Sequence, residues 1–130
     1  MADPIYITQA DKETLSKLIE EGRYSELKSN VYLKKLEAEI NKAEVINKIQ
    51  LSRNVVTMNS RVLLLVDGEE EEITLVYPQH ANVRKNEISV LSPLGTAILG
   101  YREGNVIEWE VPAGKIEIIV KKVISQPGDE

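Results

Sequence analysis

The stretch ISVLSPLGTAILGYREGNVIEW, residues 88–109, contains the clearest signals of the fold. Ser92 is a residue type that caps helices, and Pro93 follows it at the first helical position. The segment therefore predicts a short helix, which Gly100 ends. The pair Gly104-Asn105 then predicts a turn into another strand. A β-rich residue pattern also precedes the helix, so the local order is strand, helix, strand.

The sequence on both sides of this stretch predicts further strands of the same sheet. β-rich runs lie at 62–66, 73–77, 87–90, 106–111 and 115–124. Asp67-Gly68 is a strong two-residue turn signal between the first two runs. The acidic run Glu69–Glu72 is expected to lengthen that turn into a solubilising loop. A metal site is the less favoured alternative, because consecutive side chains of a strand point to opposite faces and would not converge on one ion. We predict four or five mostly antiparallel strands that pack one face on the short helix.

The first part of the chain has a different character. Residues 9–48 contain no proline and one glycine, and they are rich in Lys, Glu and Leu. A first helix is predicted from about Gln9, capped by Thr8, to a left-handed Gly22. A second helix follows, capped by Ser25 or Asn30, and runs to about residue 44.

The two helices pack most simply as a short antiparallel hairpin of coiled-coil type, with arms of roughly 20 Å. The predicted fold class is therefore α+β. Residues 1–50 form the N-terminal helical hairpin, and residues 51–130 form a sheet domain with one short helix. The sequence leaves open whether the hairpin projects or folds back on the sheet.

Composition excludes several classes of function. The chain has 130 residues, a formal net charge of −5, no cysteine and one histidine. Disulfides, thiolate zinc sites and cysteine nucleophiles are therefore excluded, and so are metal sites that need several histidines. An acidic chain is also a poor candidate for direct, specific DNA binding. A membrane segment is not predicted, and a cytoplasmic location is expected.

Four segments together resemble one known family. They are VVTMNSRVLLL (55–65), ITLVYP (73–78), ISVLSPLGTAILGYREGNVIEW (88–109) and VPAGKIEIIVKKVISQP (111–127). This ordered pattern resembles the C-terminal domain of the Gre transcription factors GreA and GreB, and most closely their Rnk branch, the regulators of nucleoside diphosphate kinase. The resemblance implies an FKBP-like domain that docks on bacterial RNA polymerase at the rim of the secondary channel. The predicted helical hairpin also fits this family.

The resemblance implies where the polymerase would bind. In the relatives, the start of the short helix and the loop before it form the docking surface. The matching residues here, and the candidate partner-binding residues, are Ser89, Ser92, Pro93, Leu94 and Gly95.

The hairpin tip decides whether the chain resembles the cleavage factors of that family. The tip reads IEEGRYSELKSN and offers the carboxylates of Glu20, Glu21 and Glu26, which could equally belong to a solvated helix end. The acidic pattern that cleavage factors place around an Asn-Ala-Glu-Tyr core is missing, and the hairpin is shorter than theirs. We therefore expect a regulator that occupies the channel mouth and competes with Gre factors, with no catalytic residue, metal or cofactor of its own.

Two other functions compete with this interpretation. One is a transcript-cleavage (elongation) factor of Gre type. The other is an FKBP-like peptidyl-prolyl isomerase, although the sheet domain offers few aromatic side chains to line a proline pocket: Tyr77, Tyr101 and Trp109. Neither the oligomeric state nor a link to nucleoside diphosphate kinase can be inferred from these residues.

Overall fold

A computed structural model of the chain describes residues 5–25, 29–46, 54–111 and 113–127. The helices and strands follow one another as β1 (Tyr6–Thr8), α1 (Gln9–Gly22), α2 (Val31–Lys42), β2 (Glu44–Ile46), β3 (Arg61–Val66), β4 (Glu69–Val76), β5 (Glu87–Ser89), α3 (Pro93–Ile98), β6 (Val106–Val111) and β7 (Gly114–Ser125). Short 3-10 turns occupy Pro78–His80 and Val83–Lys85 between β4 and β5. Within the described ranges, every helix is too short or too polar to cross a membrane.

Among the described residues, the main sheet has five strands in the order β5-β4-β3-β7-β6. Its neighbouring strands are antiparallel except for β4 and β5, which are parallel. The pairing of β3 with β7 contains two register shifts, irregularities of the kind that bend a sheet and increase its twist. The predicted α+β fold, with two helices followed by a mostly antiparallel sheet and one short helix, is confirmed.

The helical hairpin folds back onto the sheet. Its inward side chains, among them Leu15, Leu36 and Ile40, are buried. They belong to the same hydrophobic cluster as Leu64 and Val120 from the centre of the sheet. Because the helices and the sheet share one core, the hairpin is a layer of the fold rather than a free projection. The structure thus answers the question that the sequence left open.

The end of α1 differs from the prediction. Gly22 was expected to adopt a left-handed conformation beyond the helix, but it is the last helical residue, is buried, and has no positive φ. The following Arg23 is also right-handed, with φ −62°. The N–H groups of Tyr24 and Ser25 bond to the carbonyls of Glu21 and Gly22. These tight turns satisfy the last carbonyls of α1, so a left-handed residue is not needed.

The acidic run Glu69–Glu72 is not a loop, so that prediction was wrong. Asp67 and Gly68 both have positive φ, at 51° and 88°, and form the whole turn between β3 and β4. Such two-residue turns match the twist of the flanking strands. Val66 therefore pairs directly with Glu69, and the acidic run becomes the first half of β4 with its side chains exposed.

The N-terminal segment is held at the base of the hairpin. β1 pairs in parallel with β2, which begins at Glu44, where α2 was predicted to end. The N–H of Tyr6 also donates to the carbonyl of Gly100 at 3.0 Å. Gly100 has φ +85°, and a Cβ there would lie 2.7 Å from Cβ of Ile5. The close approach of β1 to the end of α3 therefore requires glycine.

Asp11 forms a polar contact between the hairpin and the sheet domain. Its Oδ2 accepts a hydrogen bond from the N–H of Met58 at 3.0 Å, while the hydroxyl of Thr8 accepts the N–H of Asp11 and caps α1. Burial raises the pKa of Asp11 above 3.8, against the opposing effect of bonds with Met58 and Thr8. Burial, and then the negative charge of Asp11, raises the pKa of Tyr77 to about 12. Both groups therefore ionise at a higher pH than they would in water.

We expect Asp11→Asn to stabilise the protein increasingly as the pH rises. The folded-state pKa of Asp11 is raised, so the stability linked to its protonated form is present below pH 3.8 and is lost as the pH rises through the folded-state pKa. Asn keeps an acceptor for the N–H of Met58 and carries no charge. The difference in free energy of unfolding between variant and parent, measured in urea from pH 3 to pH 7, should grow toward pH 7. Asp67→Asn, in the exposed β3–β4 turn, is the control, and a difference that does not vary with pH would contradict the expectation.

Candidate functional site

The turn between β5 and α3 is held by its two serines. The carbonyl of Ser89 accepts hydrogen bonds from the N–H of Ser92 at 3.0 Å and from its hydroxyl at 2.7 Å. The Ser89 hydroxyl accepts the N–H of Leu91, and the Ser92 hydroxyl accepts the N–H of Gly95, both at 3.0 Å. The predicted cap at Ser92 is therefore confirmed. Both serines were candidate partner contacts, and both already have bonds that shape the turn.

Gly95 allows the first turn of α3 to lie directly on the end of β5. It is buried, and a Cβ there would overlap the carbonyl oxygen of Ser89 and stand 2.9 Å from its carbonyl carbon. Gly95 therefore supports the turn from inside and presents no side chain to a partner. Pro93 is exposed, and Leu94 is half-buried against the core. Of the five candidate residues, Pro93 is the most accessible.

The hairpin tip presents fewer free carboxylates than expected. Glu20 forms an ion pair with Arg23 at 3.1 Å, and Arg23 also pairs with Glu37 of α2. Glu21 is exposed, while Glu26 lies outside the described residues. Tyr24, just beyond α1, was not among the predicted site residues, but its side chain is exposed, with an accessible fraction of 83%. The available signal was a large aromatic residue in the connection between the two predicted helices, outside their apolar stripes.

Pro93 also lies at the wall of a groove between α2, α3 and β6, here called the α2–β6 groove. Its volume is about 400 Å³, and it contains three aromatic side chains, from Tyr32, Tyr101 and Trp109. Trp109 is half-buried on the edge strand β6. The sequence could not reveal the groove, because Tyr32 joins the other two rings only when the hairpin folds back.

Acidic side chains surround this groove and the neighbouring sheet. Glu39, Glu108 and Glu110 line the groove together with one basic residue, Lys35. On β4, a hydrogen bond from Lys121 at 2.7 Å lowers the pKa of Glu70. In the part of the chain that the structure describes, no three His, Asp or Glu side chains are grouped so as to hold a metal ion.

Two family models match consecutive parts of the chain. The model described as Transcription elongation factor, GreA/GreB, C-term matches residues 51–125, which is more than half of the chain. The model described as Rnk N-terminus matches residues 3–46.

Individual relatives agree with these matches. The chain is 38% identical over 112 residues to the regulator of nucleoside diphosphate kinase of Escherichia coli K12, covering 85% of this chain and 80% of that protein. It is 35% identical over 128 residues to the transcription elongation factor GreA of Thermosipho africanus, covering 90% and 81%. Its fold is similar to that of a solved GreA/GreB elongation factor from Nitrosomonas europaea, with a TM-score of 0.76, 35% identity, and 93% and 99% of the two chains covered.

We expect Gly95→Ala to lower the free energy of unfolding by about 3 kcal/mol, because the new methyl group meets backbone that cannot rotate away. Gly104→Ala is the comparison: a Cβ there meets no atom within 4 Å, but φ is +89°. It should cost about 1 kcal/mol from backbone strain alone. Urea denaturation of both variants measures the difference. Equal losses would show that the contact with Ser89 does not constrain the turn.

Proposed function

The chain belongs to the GreA/GreB transcription elongation factor family and has the N-terminus of its Rnk branch, and on this premise we propose that it binds bacterial RNA polymerase near the secondary channel. It competes there with Gre-type factors and does not stimulate transcript cleavage. The docking surface is the turn between β5 and α3, assisted by the hairpin tip. The chain acts as a regulator, without a catalytic site of its own.

The carrying observation is the exposed Pro93 on a preorganised turn. The internal hydrogen bonds of Ser89 and Ser92 and the contact of Gly95 with β5 fix the turn before any partner arrives. A surface that is already rigid loses little conformational entropy on binding. Pro93 and the accessible part of Leu94 then offer a small apolar contact, of the kind that central interface residues make.

The length of the hairpin supports the absence of cleavage activity. The longer arm, α1, has 14 residues, which corresponds to about 21 Å of helix. Assisting a metal-dependent phosphoryl transfer requires carboxylates positioned to about half an ångström. Glu20 is paired with Arg23, and the hairpin packs along the sheet through its inward face. These features favour occupation of the channel mouth over delivery of acidic groups to the active centre.

A link to nucleoside diphosphate kinase would then be indirect. The relative from Escherichia coli is named as a regulator of that enzyme. These 130 residues contain neither a GxxxxGK[ST] nor a GxGxxG pattern, the two common glycine-rich motifs for nucleotide phosphates. We therefore place any effect of this chain on the kinase at the level of transcription.

Pro93→Asp should weaken binding to core RNA polymerase at least about tenfold, because it places a charge at the centre of the proposed contact. An acidic residue in the first turn of a helix is compatible with the fold. Val83→Asp is the matched control, since Val83 is also an exposed apolar residue but lies in the 3-10 turn before β5. Biolayer interferometry with immobilised core polymerase measures both. Wild-type affinity of the Pro93 variant would refute the docking surface.

Backtracked elongation complexes test the second half of the proposal. Incubation with this protein and Mg²⁺ should release no short 3′ RNA fragments, whereas a Gre cleavage factor should release them under the same conditions. Adding the protein in excess should reduce the cleavage that the Gre factor stimulates. Release of fragments by the protein alone would instead favour a cleavage factor of Gre type.

A further inference from the structure

The outer edge of β6 has no strand partner within the described residues. β6 is the last strand of the main sheet and pairs only with β7 among the described strands. In an antiparallel pair, alternate residues direct their N–H and C=O groups toward the partner strand. The backbone carbonyl of Asn105, one residue before β6, accepts a hydrogen bond from the N–H of Val120 on β7 at 3.0 Å. By alternation, the backbone groups of Val106, Glu108 and Glu110 are directed away from β7.

The α2–β6 groove runs along this same edge. Ile107, Glu108, Trp109 and Glu110 of β6 all line it, although successive strand residues point to opposite faces of the sheet. Ile107 is buried and Trp109 is half-buried in contact with the core, whereas Glu108 and Glu110 are exposed on the other face. Glu108 forms an ion pair with Lys115 of β7 at 2.9 Å, and Glu110 lies opposite the same lysine in the register, so two carboxylates share one ammonium group. The groove therefore combines a strand edge with an aromatic face and a face of net negative charge.

This combination selects the chemistry of an occupant. A strand added beside β6 would satisfy the free backbone groups and turn alternate side chains to the two faces. The side chains of the added strand that lie beside Trp109 would enter the aromatic side of the groove, which also contains Tyr32 and Tyr101. Those on the opposite face would lie beside Glu108 and Glu110, where opposite charge is favourable and like charge is not.

We propose that the α2–β6 groove binds an extended segment of a partner protein that joins β6 as a further strand and alternates apolar with basic residues. The apolar residues contact the aromatic side, and the basic residues face Glu108 and Glu110. This site differs from the proposed polymerase-docking turn in what it binds. The groove binds the backbone of an extended segment and its alternating side chains, whereas the turn offers a small apolar contact. It stands whether or not the polymerase supplies the segment.

The only tryptophan of the chain reports on the site directly, because it is Trp109. Titration with an acetylated and amidated octapeptide of alternating valine and lysine should change the Trp109 fluorescence in a saturable manner. Binding should also slow amide hydrogen exchange at Val106, Glu108 and Glu110, the three positions directed away from β7. A peptide with glutamate in place of lysine should bind at least about tenfold more weakly. Saturable binding without protection of these amides would overturn the added strand.

Two matched variants keep the test independent of folding. Ala38→Arg introduces a long cationic side chain at an exposed helical position that lines the groove, and it should reduce the affinity for the valine-lysine peptide at least about tenfold. Ala81→Arg makes the same change at an exposed position before β5, at the other edge of the sheet, and should leave the affinity unchanged. Equal affinities of the two variants would overturn the assignment of the groove.

Peptide chemistry supplies the last control. Two N-methylated peptides, one methylated at the lysines and one at the valines, test the backbone pairing. Removing the donors that face β6 should abolish binding of one of them, which is the lysine-methylated peptide if the segment runs antiparallel to β6. Sedimentation of the peptide-free protein tests the competing occupant, a second copy of this chain. A dimer that Ala38→Arg dissociates and Ala81→Arg does not would assign the groove to self-association and refute the proposal. Because no arm of the experiment contains polymerase, its failure would leave the docking proposal untouched.

Discussion

The contact between Gly95 and the carbonyl of Ser89 fixes the position of α3, and several other features depend on that position. Because α3 begins directly on the end of β5, Pro93 is held at the surface. The same placement makes α3 one wall of the α2–β6 groove, with α2 packed against it. It also brings Gly100, just beyond α3, against the N-terminal strand. A single glycine thus connects the proposed docking turn, the groove and the base of the hairpin.

Local signals in the sequence predicted the local structure well. Ser92 with Pro93 predicted the start of α3, and Asp67-Gly68 predicted the turn before β4, because these residue types satisfy backbone requirements within a few residues. Gly22 was misassigned because glycine permits a left-handed end to a helix without requiring it. The acidic run after Gly68 was misassigned because its charge was taken to prevent strand formation. The two-residue turn sets the register of the hairpin, and this register pairs the acidic residues with β3 in spite of their charge.

The features that the sequence did not reveal all depend on contacts between distant segments. The shared core of hairpin and sheet, the bond from Met58 to Asp11, and the pairing of β1 with β2 each join residues that are far apart in the chain. The α2–β6 groove arises in the same way. The candidate docking residues came from resemblance to a family, and the structure shows which of them shape the turn and which are accessible. Accessibility at Pro93 and internal bonding at the serines could not be read from a motif.

The base of the hairpin has a consequence for how this architecture can vary in length. β1 and β2 pair with each other where the two arms begin and end, and β1 is also bonded to Gly100. These contacts set the direction and rotational phase of both arms without involving the tip. Insertions at the tip that preserve helical phase, such as one heptad in each arm, would lengthen the hairpin by roughly 10 Å and leave its base intact. Hairpin length can therefore change without altering the base of the hairpin or the β5–α3 turn, so that one scaffold can carry hairpins of different length.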